Sequence, residues 1–495
     1  MNGTGVWRVA VRADGDFEIG ADATVDVRDK GFTSSQGPHP YSGACGGSHG
    51  GIGTGESCAS YGDPYAPITV GSCTFGNSSY YGGGAIELNA GGAFVLNGQV
   101  IASAKDSPNH YGGGGGSAWI TAASLTGSGS VLANGGKAPD STPGGGGRIA
   151  LCLTGDGQDF SGFTGKVEAI QGGTGGADSP GTIYRETAAT AGNGELEVSG
   201  RGVMPARRSY TGLPARDEPY RFSKVILRYG ARLGVMQGAV AHIGAIEGES
   251  KGFASLTLFG GTVILPQDAT ISKVNLLVMD PGSQLLAEGG DDATELLALT
   301  LAGDAQLTCD TPLTLAALTM QGGAVMKHSD NASDGYLSVS MDRYVRIDLT
   351  VAGDVTIDEG ATVDLVGIGA KAFSTTQPGM TTSKSGSHGG SAADTAADRS
   401  FGSLAHPIEP GMGGQYNGSG AYGDAYGAGA VKIIAGGVFT LNGSILAHGR
   451  YFGNVAVGAG AGGSVWLSGS RLVGKGVIKE LRAAHPESNI IAVDY

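Results

Sequence analysis

The sequence predicts an all-β fold, and the architecture that explains most of it is a parallel β-helix. Short runs of Val, Ile, Leu, Phe and Thr alternate in polarity and end in Gly, Asn or Asp, as strands and turns do. The centre of the chain repeats units of about 20 residues, and a longer module occurs twice. A β-sandwich or barrel is the alternative, because Asn97-Gly98 and Asn442-Gly443 between apolar runs also fit antiparallel hairpins.

The central units have a strand, tight turn, strand pattern. LALTLAGDAQLTCD at 297–310 is followed by LAALTMQGGAVMKHS at 315–329. Such a unit cannot bury its apolar side chains alone, but units stacked roughly 4.8 Å apart form a continuous core. Aligning them pairs Leu299 with Leu318 and Leu307 with Met326. The predicted inward-facing ladder includes Leu299, Leu301, Leu307, Leu318, Met320 and Met326.

A glycine-rich module flanks this centre on both sides. Residues 82–102 and 427–447 share 11 of 21 positions, and Ser48-His49-Gly50-Gly51 returns as Ser387-His388-Gly389-Gly390. The sequence therefore predicts three parts. These are a first glycine-rich module at 1–187, a central solenoid segment at 188–350 and a truncated second module at 351–495.

Glycine is far more frequent than usual, with 93 in 495 residues, about 19% against a typical level of roughly 7%. We expect glycines at the corners of the coils, where positive φ is costly for other residues. Asn97-Gly98 and Asn442-Gly443 fit the same expectation. The tracts at 112–116 and 144–147 are loops that leave the coil or loops that pack on it by close backbone contact.

The ordered blocks SHGG, YG, P, GGGAI, GGGGGSAWI and GGGGRIAL carry a resemblance to known proteins. They resemble a glycine-rich module of very large surface proteins in some environmental bacteria and of certain eukaryotic membrane-anchored ectodomains. The resemblance covers about residues 17–187 and 355–478. It implies a β-helical fold and a surface location, with no reaction attached.

Charge and composition exclude several function classes. A net charge of −14 opposes an extended phosphate-binding surface, so nucleic acid is not an expected partner. No apolar run is long enough for a membrane-spanning helix, and no signal peptide begins the chain. We expect an extracellular or cell-surface segment of a longer protein. Cys45, Cys58 and Cys73 allow local disulfide pairing, or are buried thiols.

The paired histidines are the first candidates for chemistry. His49 and His388 could transfer protons or bind a metal, and Asp63 in YGDP could orient the first of them. The second copy has Ser403 in place of Asp63, so the expected role is structural. Two acids also align between the copies, Asp16 with Asp354 and Asp26 with Asp364. Exposed strand edges, where charge discourages aggregation, explain these acids as well.

Aromatic side chains in the glycine-rich loops are candidates for stacking on a sugar or a protein partner. The candidates are Tyr61, Tyr65, Tyr81, Tyr111, Tyr422 and Tyr426; the alternative is that their rings cover loop backbone. GGTGGADSPG at 172–181 resembles a calcium-binding turn, with Asp178 as the candidate ligand. No other cofactor is expected.

Glycine and apolar residues recur between the copies, while charged positions change, as Glu87 against Lys432 shows. The sequence therefore favours a non-catalytic surface or adhesion scaffold that contacts a polysaccharide or cell-surface ligand. A polysaccharide-degrading lyase or glycoside hydrolase, or its carbohydrate-binding segment, is the alternative.

Overall fold

The computed structural model describes most of the chain. The described residues are 7–33, 37–38, 46–53, 59–73, 81–107, 112–138, 142–173, 178–202, 209–249, 254–289, 294–331, 344–370, 388, 402–413, 426–450 and 460–479. The chain divides into two compact units, Met1–Ile264 and Leu265–Tyr495. The division falls inside the predicted central segment at 188–350.

The first unit is built of short strands and one 3₁₀ turn, Ala188–Thr190. Its strands are β1 (Arg8–Ala13), β2 (Phe17–Ile19), β3 (Thr24–Asp26), β4 (Ala85–Ala90), β5 (Ala93–Leu96), β6 (Gln99–Ile101), β7 (Ser117–Ala122), β8 (Ser124–Thr126), β9 (Ser130–Leu132), β10 (Arg148–Leu153), β11 (Lys166–Glu168), β12 (Thr182–Glu186), β13 (Glu195–Ser199), β14 (Thr211–Leu213), β15 (Tyr220–Phe222), β16 (Lys224–Arg228), β17 (Arg232–Met236), β18 (Val240–Ile243), β19 (Ile246–Gly248), β20 (Ser255–Phe259) and β21 (Thr262–Leu265).

Successive strands of the first unit join different sheets. The first sheet has the order β1-β4-β7-β10-β12-β13-β16-β19, the second β2-β5-β8 and the third β3-β6-β9-β11. Strands β14, β17 and β20 are neighbours in a fourth sheet, and β15, β18 and β21 in a fifth. The pairing is parallel except between β12 and β13. The first three layers of this module each add one strand to each of these three sheets, and the fourth layer adds β10 to the first sheet and β11 to the third.

The second unit is built in the same way. Its strands are β22 (Asp268–Ser272), β23 (Asn275–Asp280), β24 (Gln284–Glu288), β25 (Thr294–Leu296), β26 (Ala298–Ala302), β27 (Gln306–Cys309), β28 (Leu313–Leu315), β29 (Ala317–Met320), β30 (Val325–Lys327), β31 (Ile347–Val351), β32 (Val355–Ile357), β33 (Thr362–Asp364), β34 (Ala430–Ala435), β35 (Val438–Leu441), β36 (Ser444–Leu446), β37 (Ser464–Ser468), β38 (Arg471–Val473) and β39 (Val477–Lys479).

Three long rows of strands run through this unit. Their orders are β22-β26-β29-β32-β35-β38, β23-β27-β30-β33-β36-β39 and β28-β31-β34-β37. The strands of these rows pair in parallel, and among the described strands of this unit β24 and β25 alone pair antiparallel. The protein is thus all-β with long parallel sheets, as the sequence predicts.

The register predicted for the central units is confirmed. Leu299 pairs with Leu318, and Leu307 pairs with Met326. All six predicted ladder residues are at most 1% exposed. Each unit enters one sheet with its first strand and another sheet with its second, so the tight turn changes sheets.

The hairpin interpretation of the Asn-Gly pairs is wrong. Strand β5 before Asn97-Gly98 pairs with β2 and β8, while β6 after it pairs with β3 and β9. The same holds for β35 and β36 around Asn442-Gly443. A Cβ on Gly98 would lie 2.2 Å from Ala23 O. Close approach to the layer below, and not positive φ, therefore requires this glycine.

Turn glycines with positive φ occur in the central units, although the second of them lies one residue after Gly322, which aligns with Gly303. Gly303 has φ 61° and Gly323 has φ 86°. The long glycine tracts behave differently, since no residue of 112–116 or 144–147 has positive φ. Glycine is therefore required in these tracts for a reason other than positive φ.

Candidate functional site

The tract 112–116 lies among other backbone segments and faces them with a period of three residues. Gly113 and Gly116 face segment 81–84, where an added Cβ would come as close as 1.9 Å to a carbonyl oxygen. Gly112 and Gly115 face segment 133–136 at about the same distance, 2.0 and 2.2 Å. Three residues per turn is the period of the extended polyproline II helix. The sequence left two alternatives for these glycine tracts, and the one in which the loops pack on the coil by close backbone contact is confirmed.

Backbone hydrogen bonds connect this tract to its neighbours. The N–H groups of Gly114 and Gly115 donate to Ser72 O and Gly145 O, and Gly83 N donates to Gly114 O. We call these packed segments the glycine array. It comprises 31–32, 46–53, 69–73, 81–84, 112–116, 133–136 and 144–147 in the first copy, and 369–370, 410–413, 426–429 and 460–463 in the second. It fills the turn between the third strand of one layer and the first strand of the next.

The described part of the second copy repeats several hydrogen bonds of this network. The matching bonds are Gly31 N to Gly82 O with Gly369 N to Gly427 O, Phe32 N to Gly71 O with Ala370 N to Gly411 O, Gly71 N to Gly83 O with Gly411 N to Ala428 O, Gly83 N to Gly114 O with Ala428 N to Ala461 O, and Gly116 N to Ala102 O with Gly463 N to Ala447 O. The repeat seen in the sequence is therefore a repeat of backbone contacts.

His49 is fully buried within the array. Its Nδ1 lies 3.0 Å from Gly115 O and 3.2 Å from Gly116 O, so this nitrogen carries the proton and donates it. Nε2 lies 2.7 Å from Thr69 Oγ1 and accepts from that hydroxyl. Burial, with the nearby charge of Arg148 in second place, lowers the pKa of His49 to about 3. The imidazole is thus neutral, with both nitrogens occupied by partners within the array.

His388 has related surroundings in the second copy, but it is partly exposed and Glu409 stands there in the place of Thr69. Its imidazole hydrogen bonds to the backbone of Gly462 and Gly463, and burial lowers its pKa. Nε2 lies 3.3 Å from Ser464 Oγ, which in turn donates to Glu409 O. The equivalent serine of the first copy, Ser117, donates to Thr69 O. Both histidines therefore join the loop that contains them to the following layer.

Asp63 contacts residues other than His49. Its Oδ1 accepts from Tyr65 N at 2.8 Å, and its carboxylate pairs with Arg216 at 3.4 Å. Arg216 lies over the rings of Tyr65 and Tyr220, 5.2 and 5.1 Å from their centroids. The structure thus separates the predicted His–Asp pair and gives Asp63 a role in fixing an aromatic cluster.

The tyrosine candidates fall into three groups. Tyr61 is 7% exposed, its OH donates to Val70 O and its ring lies 4.9 Å from that of His49. Tyr65 packs edge-on against Tyr184 at 4.7 Å. These two rings cover loop backbone and core instead of facing solvent. Tyr81 and Tyr426 are partly exposed, while Tyr111 and Tyr422 lie outside the described residues.

The aligned acids of the two copies hold turns. Asp16 Oδ1 accepts from Ala93 N at 2.7 Å, and Asp354 Oδ1 accepts from Val438 N at the same distance. Asp26 and Asp364 each accept from the backbone N–H two residues later. These four carboxylates therefore fix the backbone within a layer or between layers.

The remaining sequence candidates are isolated or buried. Asp178 is 2% exposed, accepts from Arg201 N, and has a pKa raised by burial. Among the described residues no group of three His, Cys, Asp or Glu is placed to hold a metal ion. Cys73 is buried, while Cys45 and Cys58 lie outside the described residues, so their pairing stays a prediction.

Sequence reasoning missed Arg148, the largest fully buried side chain. Its guanidinium donates to Tyr61 O, Thr182 Oγ1 and Gly212 O, at 2.8 to 3.2 Å. Burial lowers its pKa to about 10. The only sequence signal was its position at the end of GGGGR, where glycines leave room for a long side chain. It ties the loop of His49 to two other segments.

No protein-family model, curated protein or solved structure matches this chain. No helix in the described part of the chain is long and apolar enough to cross a membrane.

Proposed function

We propose that the chain is a parallel β-helical, non-catalytic scaffold in a larger extracellular or cell-surface protein. The observation that carries this proposal is what the two copies share in three dimensions. They share backbone hydrogen bonds, a histidine that joins them to the next layer, and carboxylates that hold turns. Reactive groups would be expected to keep their charges and their access to solvent.

The layered pairing supports the β-helical part of the proposal. In the second unit the strands from β26 to β37 form four successive layers, and each of these layers gives one strand to each of three parallel rows in the same sequence order. A coil that returns to the same place after three strands produces this order. The long glycine-rich insertions all leave after the third strand, so they pack together without interrupting the sheets.

The histidine chemistry argues against the lyase or hydrolase alternative at the position that the sequence singled out. A general base must reach the proton that it removes. His49 is 0% exposed, donates one ring N–H to carbonyl oxygens and accepts a hydroxyl proton at the other nitrogen. A substrate would have to displace packed glycine backbone to reach it.

Depolymerisation assays combined with hydrogen exchange test this function. We expect no new reducing ends or unsaturated uronates when the protein is incubated with acidic and neutral polysaccharides. His49→Ala and His388→Ala should each speed amide exchange in their own copy only, while the exposed His406→Ala serves as the control. Depolymerisation that is lost in His49→Ala but survives in His388→Ala would overturn the scaffold proposal.

A further inference from the structure

A groove of about 780 Å³ with a mixed polar and apolar lining lies in the first unit, where the chain leaves β3, β6, β9 and β11. These strands are parallel neighbours, so the residues after them stack in layers, about 4.8 Å apart. Four layers then span roughly 14 Å along the groove. Ile101, Leu132 and Ile170 contribute apolar surface to its lining.

The charge of the groove differs from that of the whole protein. Arg28, Lys105, Lys137, Lys166 and Arg201 line it together with only three carboxylates, those of Asp29, Asp106 and Glu168. The chain as a whole has a net charge of −14. The three lysines are 62% to 65% exposed, so their ammonium groups are available to a ligand despite their carboxylate neighbours. The groove therefore favours an anionic ligand that can also contact the three carboxylates of the lining.

Asp29 has an unusual conformation at this position. Its φ is 57°, in the left-handed region, and its carboxylate is only 23% exposed. One carboxylate oxygen, Oδ1, is buried without a hydrogen-bond partner. Desolvation raises the pKa of Asp29 although Lys105 acts in the opposite direction. Backbone strain and an unpaired buried acceptor at one residue point to a functional constraint.

The second copy shows that the fold does not require this arrangement. Its residue at the position of Asp29 is Gly367, which has the same left-handed backbone with φ 64°. Arg28 and Lys30 are replaced there by Val366 and Ile368. The surrounding backbone hydrogen bonds nevertheless recur, including Val27 N to Ile101 O as Leu365 N to Leu446 O. The charges of the first copy are therefore additions to a backbone that forms without them.

We propose that this groove binds an acidic polysaccharide, with the lysines pairing with its carboxylates and Asp29 Oδ1 accepting a hydrogen bond from a sugar hydroxyl. This binding activity goes beyond the proposed scaffold function. Hydroxyl donors satisfy the acidic side chains of the groove, and the C–H faces of sugar rings suit its apolar lining. A phosphate polymer offers fewer donors, and no aromatic side chain for base stacking lines the groove in the described part of the chain.

Binding of polygalacturonate to the full chain tests the proposal, with dextran as the neutral polymer and oligo(dT) as the phosphate polymer. Titration calorimetry in EDTA at low salt should show binding of polygalacturonate only, weakened by added salt. Lys105→Gln with Lys137→Gln should weaken it at least about tenfold, and Asp29→Gly about fivefold, with the unfolding midpoint unchanged or raised. Lys475→Gln, a 76% exposed lysine of the second copy, is the matched control and should leave binding unchanged.

Several results would overturn the groove assignment. They are equal binding of dextran, tighter binding of oligo(dT), a need for added calcium, no loss of affinity in the double lysine variant, or no binding at all. None of these results depends on the depolymerisation and exchange measurements, so the groove and the scaffold function can fail separately.

Discussion

After its third strand the first copy continues as Val27-Arg28-Asp29-Lys30-Gly31, and the second as Leu365-Val366-Gly367-Ile368-Gly369. The backbone follows the same path in both, including the left-handed residue in the middle. Three charged side chains in one copy thus correspond to two apolar side chains and a glycine in the other. The comparison separates what builds the module from what one copy adds to it.

The second copy also shows which glycines of the array are retained and which are replaced. Gly82 and Gly116 remain glycine in the second copy as Gly427 and Gly463, where a Cβ would lie about 2 Å or less from a carbonyl oxygen. Gly83 and Gly114 are replaced by Ala428 and Ala461, and the hydrogen bonds at these positions persist, although a Cβ on Gly83 would lie only 1.9 Å from Ala102 O in the first copy. Some positions of the array therefore tolerate a methyl group, and others do not.

The largest effect is expected in the core that the copies share. Phe94 and Phe439 occupy equivalent positions and are both 1% exposed. Replacing either by Ala should cost about 3–5 kcal/mol through the cavity left behind. Phe94→Ala should be the more costly, because in the part of the chain that the structure describes Phe94 stacks on the ring of Phe17 at 5.2 Å and Phe439 has no such ring partner.

Hydrogen exchange and denaturant unfolding, followed copy by copy, measure this pair. Thr440→Ala, a partly exposed neighbour on β35, is the control and should change stability little. If Phe439→Ala leaves its own copy unaffected, the two cores are not equivalent.

A smaller effect is expected within the array. Gly116→Ala and Gly463→Ala should each destabilise their copy by about 2–3 kcal/mol, because the added methyl overlaps a carbonyl oxygen of packed backbone. Gly114→Ala should cost about 1 kcal/mol or less, since the second copy has Ala461 there. Thermal unfolding of the three variants checks this order. Equal losses of stability would show that the array accommodates an added methyl group equally well at all three positions.

Much of the core of the central units was predictable from the sequence. Apolar alternation and the 19-residue offset between Gly303 and Gly322 were sufficient to place Leu299 opposite Leu318. That prediction succeeds because each central unit is short and neighbours in sequence are neighbours in space. Strand register follows from side-chain burial, which the pattern of residue types records.

The array and the groove were not predictable in the same way. The contacts of Gly114 join it to Ser72 and Gly83, and those of Arg148 join residues up to 87 apart. A run of glycine carries no side-chain pattern from which such partners can be inferred. The unusual state of Asp29 depends on its φ and on an unpaired oxygen, neither of which the sequence shows.

Acidification should distinguish the copies by a further, smaller effect. A buried neutral histidine whose folded pKa lies below 6.5 takes up its proton in the unfolded state first. Stability is therefore lost as the pH falls below about 6.5, by up to about 1.4 kcal/mol per pH unit for each such group. The loss continues to about pH 3 for His49, while Glu409 beside His388 opposes the lowering of its pKa.

Unfolding curves between pH 7.5 and 4.5 check this difference. His49→Gln should flatten the acid limb of the first copy more than His388→Gln flattens that of the second. His406→Gln, an exposed histidine, is the control. An acid limb that is the same in the wild type and in His49→Gln would contradict the buried neutral imidazole.

The smallest effect is expected at Asp29, and it has the opposite sign. Asp29→Gly gives the first copy the residue that the second copy has in this left-handed conformation. The change relieves backbone strain and removes a desolvated carboxylate, while glycine adds conformational entropy to the unfolded chain. We expect a net stabilisation of no more than about 1 kcal/mol at pH 7.

The stability difference between Asp29→Gly and the wild type should also depend on pH. Because the folded pKa of Asp29 is raised, its protonated form favours folding, and the wild type loses that contribution as the pH rises through the folded pKa. The advantage of Asp29→Gly should therefore be larger at pH 7 than at pH 3.5. Asp106→Asn, at a 60% exposed carboxylate of the same groove, should show no such gain. A clear loss of stability in Asp29→Gly would make Asp29 part of the scaffold and remove the reason for assigning it to a ligand.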